Sequence, residues 1–396
     1  MPEINISLFS QLLHLLDRND FDRLVNKHKS DKFQKGINSW THMVSMIFCH
    51  LAKSTSVREI SDGLRSAAGN LNHLGVHKSP SKSSVSYINA HRTWELFRDY
   101  YFALLDRHEP SLARRRQYAH KLKRKIFLMD ATTISLCLSL FDWAKFRTRK
   151  GGIKLHTILD YDTALPVFIN MTEARRHESK VAPVDFFPAG SVVVMDRGYI
   201  NYEYLNILDS KGVFFVTRLK SNADVKTIKS YKTSDKQEHI VSDKDIKLLG
   251  IQVSKKYPGK LRAIEVYDKK SEQYLVLLTN HLYWTADTIS QLYKARWDIE
   301  IFFKQIKQVL KIKTFVGTSP NAVLIQVWTA MISILLLKYL QLRAKHKWHL
   351  SNLAAMLRTH LFSKIDMWRW LHEPFIKPNP PPDNMPLLKL LEKGRG

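Results

Sequence analysis

Two short apolar runs, each ending in an aspartate, constrain this chain more than any other feature. Residues 125–130 read Lys-Ile-Phe-Leu-Met-Asp, and residues 191–196 read Ser-Val-Val-Val-Met-Asp. Runs of this length, bounded by polar residues, are buried strands rather than helices. After the second run, Arg197-Gly198 leads into a helix-like stretch over 202–211, and 213–217 is again a strand candidate. Strand, helix, strand at this spacing predicts an α/β sheet. In an open α/β sheet the ends of the strands gather the functional groups. Asp130 and Asp196 are therefore the first candidate site residues, each expected at the C-terminal end of its strand. On residues alone, one of them serves equally well as a turn or helix cap.

The flanking segments have a different texture. Residues 1–108 read almost wholly helical, and Ser56-Val57-Arg58-Glu59-Ile60 resembles a capped helix start. A second helix opens at 81–89, with Val85 and Ile88 facing inward and Lys82, Ser84, Tyr87, Asn89 and Arg92 facing out. This pair predicts a helix-turn-helix-like reader of a DNA groove, or a plain bundle with a solvated face. Residues 111–125 carry seven Lys/Arg in fifteen and read as a basic linker. Further strand candidates run over 153–159 and 166–171, and 221–284 is polar and strand-like. A long helix begins near Asp287, a second follows Pro320, and the end is rich in proline (Pro378, Pro380, Pro381, Pro382). The most apolar stretch, 322–337, is broken by Gln326, Thr329 and Ser333 and falls short of the roughly 20 apolar residues a bilayer needs. It is expected to be a buried core helix. The first 24 residues lack the layout of a signal peptide, so a cytoplasmic protein without a membrane partner is expected.

Charge then narrows the partner. The chain has 62 Lys+Arg against 36 Asp+Glu, a net charge of +26, which fits a polyanion. A ribosome, an anionic membrane surface and DNA all qualify. Only two cysteines are present, Cys49 and Cys137, too few for a disulfide framework or a cysteine-rich zinc site.

The helix near 287 adds chemistry. At about 100° per residue, Tyr293, Arg296, Glu300, Lys304 and Lys307 fall within a stripe of about 80°. Ile299, Phe302, Phe303, Ile306, Val309 and Leu310 form a separate apolar face. On pattern alone the stripe is equally an exposed helix with (i, i+4) salt bridges, Arg296–Glu300 and Glu300–Lys304.

The spacing Tyr293-x2-Arg296-x3-Glu300-x6-Lys307 resembles the signature of the insertion-sequence-4 family of DDE transposases. Asp130-Ala131-Thr132-Thr133 resembles that family's first catalytic block, Asp196-Arg197-Gly198-Tyr199 its second, and Gly152-Ile153-Lys154-Leu155-His156 the segment between. The resemblance spans about 125–315. It implies a ribonuclease-H-like α/β core interrupted by a β-rich insertion and preceded by an all-α N-terminal domain. The corresponding boundaries are a helical DNA-binding domain over 1–110, a basic linker over 111–125, the core over 126–220 and 287–345, the insertion over 221–286, and a helical segment with the tail over 346–396.

The resemblance also assigns roles. Asp130, Asp196 and Glu300 are implied as catalytic residues that bind two Mg²⁺, with Mn²⁺ able to substitute. Hard carboxylate oxygens suit those ions, and a paired-metal site serves phosphoryl transfer. Tyr293, Arg296 and Lys307 are implied to bind the transposon end, with Lys304 beside them. Lys154, His156, Arg218 and Lys220 are further candidates for DNA contact, with Lys82, Ser84, Tyr87, Asn89 and Arg92 in the N-terminal region. Thr132 and Thr133 brace the loop after Asp130, and Trp284 is the candidate aromatic for stacking a flipped base. The implied protein is a bacterial, nucleoid-associated transposase that binds double-stranded transposon ends and target DNA as a homodimer in a synaptic complex, cutting at the ends and joining the 3′ ends to the target. The rivals are a ribonuclease-H-like nuclease or resolvase, a catalytically decayed DNA-binding derivative, and a basic RNA-binding protein. Because each neutralised phosphate releases counterions, affinity for duplex DNA is expected to fall by orders of magnitude between about 50 and 200 mM salt. A nearly flat dependence in a filter-binding titration would place the excess charge elsewhere.

Overall fold

The computed structural model describes residues 5–32, 36–67, 71–112, 122–136, 145–147, 150–173, 183, 185–232, 239–269, 272–309 and 315–375. The proline-rich tail, Cys137, Leu310 and most of the basic 111–125 run lie outside the described residues.

Helices precede the first strand, as the pattern predicts: α1 (Leu8–Leu13), α2 (Arg18–His28), α3 (Ser39–Ala52), α4 (Val57–Ser66), α5 (Lys82–His91) and α6 (Glu95–Leu112). Their starts are chemically marked. Ser7, Asp17, Asn38, Ser56 and Ser81 each accept a hydrogen bond from the backbone N–H three residues on, satisfying a donor that the helix itself leaves unpaired. At the expected start of α4, Glu59 also reaches back to the Thr55 N–H at 2.7 Å.

The strands form one mixed sheet: β1 (Ile126–Leu136), β2 (Lys145–Arg147), β3 (Lys150–Asp160), β4 (Leu165–Glu173), β5 (Val192–Met195), β6 (Phe214–Arg218), β7 (Val225–Ser230), β8 (Ile240–Leu248), β9 (Leu261–Asp268) and β10 (Gln273–Thr279). β4 and β2 pair with β3, and from there the order is β3-β1-β5-β6-β10-β9-β8-β7. β3 runs antiparallel to both β1 and β4, whereas β5 and β6 run parallel to β1. The strand-like segment over 221–284 is not a separate layer. β10 pairs antiparallel with β6, Thr279 opposite Val216, so four strands extend the same sheet and cover the β6 edge.

Alternation sorts the side chains into two faces. Ile126, Leu128, Val192, Val194 and Val216 point to the first face, and Phe127, Met129, Val193, Met195 and Phe215 to the second. The second face is covered by α7 (Tyr202–Ser210) through Tyr204, Leu205 and Leu208, with α8 (Ile251–Lys256) beside it. The first face receives α9 (Ala286–Lys294), α10 (Trp297–Val309), α11 (Pro320–Arg343), α12 (Leu350–Thr359) and α13 (Met367–His372).

The apolar stretch over 322–337 is the centre of α11, and 83% of its most apolar window is buried, so the expected core helix is what forms. Being apolar all round, α11 needs partners on every side. It packs against α3 and α6 as well as α12, with the Trp328 ring 5.8 Å from Tyr101 and 5.6 Å from Phe102. α1 is joined to the other end of the chain by Leu8 N–H to the Ser363 carbonyl and Phe9 N–H to the Leu361 carbonyl. The N-terminal helices thus share one core with the sheet and the C-terminal helices.

Two N-terminal expectations need correction. Residues 67–81 separate α4 from α5, far more than the three or four residues of a helix-turn-helix turn. Asn89 and Arg92 also face inward. Asn89 is 1% exposed with its Oδ1 2.6 Å from His42 Nε2, and Arg92 is 8% exposed and donates to Asp31 and the Ile37 carbonyl. Asn321 of α11 donates to the backbone carbonyls of both, which fastens the end of α5 to the core. Lys82 and Tyr87 are exposed, and Ser84 is half-buried.

Burial, with the Arg92 charge second, pushes the His42 pKa down from 6.5 to about 3. Because the folded value is depressed, this contribution to stability is fully present above about pH 6.5 and is lost as pH falls toward 3. One such histidine adds a slope of about 1.4 kcal/mol per pH unit. Urea unfolding between pH 7 and 4.5 should show that His42→Gln flattens the decline by about one proton, and an unchanged slope would contradict a neutral buried His42.

Candidate active site

The two aspartates meet because of strand register. The parallel ladder between β1 and β5 ends at Met129 opposite Met195, and the next residue on each strand is an aspartate. Alternation places both on the first face, on neighbouring strands about 4.8 Å apart. Only Asp196 stands at a strand end as expected, where it caps the 3-10 turn Arg197–Tyr199. Asp130 is the fifth residue of the eleven-residue β1, whose pairing with β3 continues past it to Leu136. The Asp130 carboxylate accepts the Ala131 N–H at 2.7 Å.

The third carboxylate comes from above the face. The long helix expected from 287 is two helices, α9 and α10, with Ala295 and Arg296 between them. Backbone bonds at the junction reach back three residues: Arg296 N–H to the Tyr293 carbonyl, Asp298 to Ala295 and Ile299 to Arg296. The stripe calculated for one continuous helix therefore holds only within α10. There, Ile299, Phe302, Phe303 and Ile306 are buried against the first-face core, while Glu300, Lys304 and Lys307 border an open cleft. The cleft, about 530 Å³, is lined by Asp130, Ala131, Thr132, Glu300, Phe303, Lys304 and Lys307.

Arg296 ties the two sides together. Its Nη1 donates to Asp130 at 3.0 Å and its Nη2 to Glu300 at 2.7 Å. Burial works against the guanidinium charge, but Tyr293, Asp130 and Glu300 outweigh it and raise the pKa. Lys307 donates to the Thr132 hydroxyl at 2.5 Å, so Thr132 braces α10 against β1 rather than a loop, since β1 continues through it to Leu136.

The chain that carries this site has relatives among known proteins. Residues 121–336 match the Transposase DDE domain family, a span that takes in the whole sheet, α9, α10 and most of α11. The chain belongs to the DDE transposase family. Residues 4–77 match a domain of unknown function (DUF4372). A Sinorhizobium fredii protein described as transposase y4zB is 31% identical over 262 residues, 66% of this chain and 71% of its own length. A Geobacillus stearothermophilus protein described as a transposase for insertion sequence element IS5377 is 27% identical over 58% of this chain, and the chain spans 60% of that relative. A Synechocystis protein described as a transposase for insertion sequence element IS4SA is 24% identical over 74% of this chain and 81% of its own.

In this transposase the remaining candidate residues separate into two groups. Arg218, two residues beyond Val216, is level with Asp196, two beyond Val194, on the first face. Arg218 and Asp196 both lie close enough to Tyr293 to act on its phenol electrostatically. Tyr293 itself is 8% exposed, and burial raises its pKa, with Asp196 adding to the rise. Lys220 donates to the Ile200 carbonyl and so secures the loop after Asp196. Lys154 and His156 are corrections. They pair with Thr133 and Ala131, and residues in register share a face, so both lie on the second face, opposite Asp130 and Thr132. His156 is buried between Tyr199 and Thr172, as a core histidine rather than a DNA contact. Trp284 is also displaced from the acids. It stacks on His281 at 3.7 Å and packs on Phe214, at the start of β6, whereas Arg218 at its end is level with Asp196.

DDE transposases generally use divalent metal ions. Carboxylate oxygens from Asp130, Asp196 and Glu300 have the chemistry for such an ion. Their spacing does not yet suit one: among the described residues no three of His, Cys, Asp and Glu stand close enough to share a cation. The interval between Asp130 and Glu300 is spanned by Arg296. The face assignment gives a direct prediction. Lys307→Ala should weaken duplex binding about five- to tenfold and reduce the log–log salt slope by about one, while Lys154→Ala leaves both nearly unchanged. Equal losses in both variants would mean that DNA does not discriminate between the two faces.

Proposed function

We propose that this transposase binds the terminal inverted repeats of its own insertion sequence, cuts the DNA at each end and joins the 3′ ends to target DNA. In this reading Asp130, Asp196 and Glu300 are the catalytic carboxylates, and together they would hold two Mg²⁺. Such ions, when bound, lower the pKa of the attacking oxygen and stabilise the leaving one. The chain's own groups do the positioning. Lys304 and Lys307 line the cleft, each ammonium acting as a point charge, and Arg296, bridging two of the acids, carries a guanidinium fork that suits a phosphate. Arg218 stands level with Asp196 on the next strand, and both act electrostatically on Tyr293.

The observation that carries the reading is the placement of two aspartates directly after the last pair of one parallel ladder, on one face, with Glu300 presented by a helix packed over that face. The strand order supports it too. A three-stranded antiparallel meander followed by two strands parallel to β1, in the order β4-β3-β1-β5-β6, is compatible with the ribonuclease-H-like core that the reading requires. The basic excess supports grip on two ends and a target, and a homodimer in a synaptic complex follows from the need to handle two ends at once.

The test is a supercoiled donor plasmid carrying the element with its own flanks, incubated with Mg²⁺ and a target plasmid. Wild-type protein should cleave at both ends and yield joined molecules, and Glu300→Gln should lower cleavage at least about a hundredfold without loss of folded protein. Nicking without joined products would favour a nuclease or resolvase. Binding without turnover would mark a decayed derivative. End cleavage that survives Glu300→Gln would remove Glu300 from the site.

A further inference from the structure

The three carboxylates have the right chemistry for a divalent cation, yet one side chain of the same site stands between two of them. Arg296 uses both terminal nitrogens, one on Asp130 and one on Glu300, and its side chain is only 12% exposed. We propose that Arg296 is a place-holder: its guanidinium occupies the position between Asp130 and Glu300, and a divalent cation joins these carboxylates only after the fork has released at least one of them. The inference rests on the reading of Asp130, Asp196 and Glu300 as metal ligands.

Three observations support it. The bridge is a single planar group with its two donors divided between two acceptors from different elements, so it fixes a spacing as well as neutralising charge. Asp130 is held independently by the Ala131 N–H, so it remains placed on β1 when the fork leaves. The Arg296 Nε is buried without a hydrogen-bond partner, so the bridged position leaves part of the guanidinium unsatisfied. A phosphate can take the same fork in bidentate fashion, which gives the released guanidinium a competing partner in a protein that handles DNA.

The charge of the arginine and its bridging geometry make different predictions, which a conservative variant separates. Arg296→Lys keeps the positive charge but replaces the rigid planar fork by a compact ammonium with no fixed geometry. Mn²⁺ binding to the full chain, read from the loss of the free-ion signal in electron paramagnetic resonance, serves as the probe. Both Arg296→Lys and Arg296→Gln should bind Mn²⁺ about tenfold more tightly than wild type, in line with loss of a charge-assisted hydrogen bond. Lys304→Gln, which removes a cation from the cleft wall without touching the bridge, should change the affinity much less. Wild-type affinity in Arg296→Lys, with tighter binding only in Arg296→Gln, would mean simple charge repulsion and would overturn the place-holder role. Equal or weaker binding in both variants would overturn it as well. Asp130→Asn and Asp196→Asn in the Arg296→Lys background separate the two levels of the argument. If Mn²⁺ binding ignores both substitutions, the metal-ligand reading fails. If it depends on them but not on Arg296, only the place-holder fails.

Discussion

Two carboxylates set side by side on parallel strands repel, and much of the first face is arranged to answer that repulsion. Asp130 and Asp196 cannot be separated without changing the β1–β5 register, which is fixed by four consecutive pairs from Ile126–Val192 to Met129–Met195. A one-residue slip would turn one of the two aspartates to the opposite face of the sheet. The charges are therefore fixed in position, and compensation has to come from elsewhere. Arg296 meets Asp130 from the junction of α9 and α10, and Arg218 stands level with Asp196 on the next strand. Lys307 adds a third anchor through Thr132.

How much of this was legible in sequence depends on whether the information is local. The strands at Asp130 and Asp196, the capped start at Ser56, the core helix over 322–337 and the apolar face of Ile299, Phe302, Phe303 and Ile306 all follow from short-range pattern. The errors share a different origin. Lys154 and His156 lie near Asp130 in space and on a neighbouring strand, but the face they occupy depends on the β1–β3 register, which no local pattern encodes. Asn89 and Arg92 look solvated because they are polar. They are buried because His42, Asp31 and Asn321, distant in sequence, supply partners. A helical wheel over 293–307 requires unbroken (i, i+4) bonding, which the three-residue bonds at Ala295 and Arg296 interrupt at the junction.

The same pairing logic divides the basic excess. Arg92 is taken up by Asp31, and Arg262 forms a buried two-point pair with Asp243, while also donating to the carbonyls of Leu282 and Trp284. These cations fasten structure and are unavailable to a polyanion. Lys304 and Lys307, by contrast, line an open cleft beside two carboxylates. Net charge thus points to a partner, but only the burial of individual cations tells which of them face it.

Magnitudes also indicate which part of the site can move. α10 is seated by Ile299, Phe302, Phe303 and Ile306, all buried. At about 1.5–3 kcal/mol for each such side chain, lifting the helix costs roughly 6–12 kcal/mol. α11 adds to that resistance, because Gln326 accepts the Val316 N–H in the segment joining the two helices, and Asn321 ties the start of α11 to α5. Breaking one charge-assisted hydrogen bond of the Arg296 fork costs only about 1.5–3 kcal/mol, less whatever a new partner returns. Rearrangement of the acids is therefore a matter of side-chain torsions on a fixed frame. The large shared core, which looks remote from chemistry, is what fixes that frame.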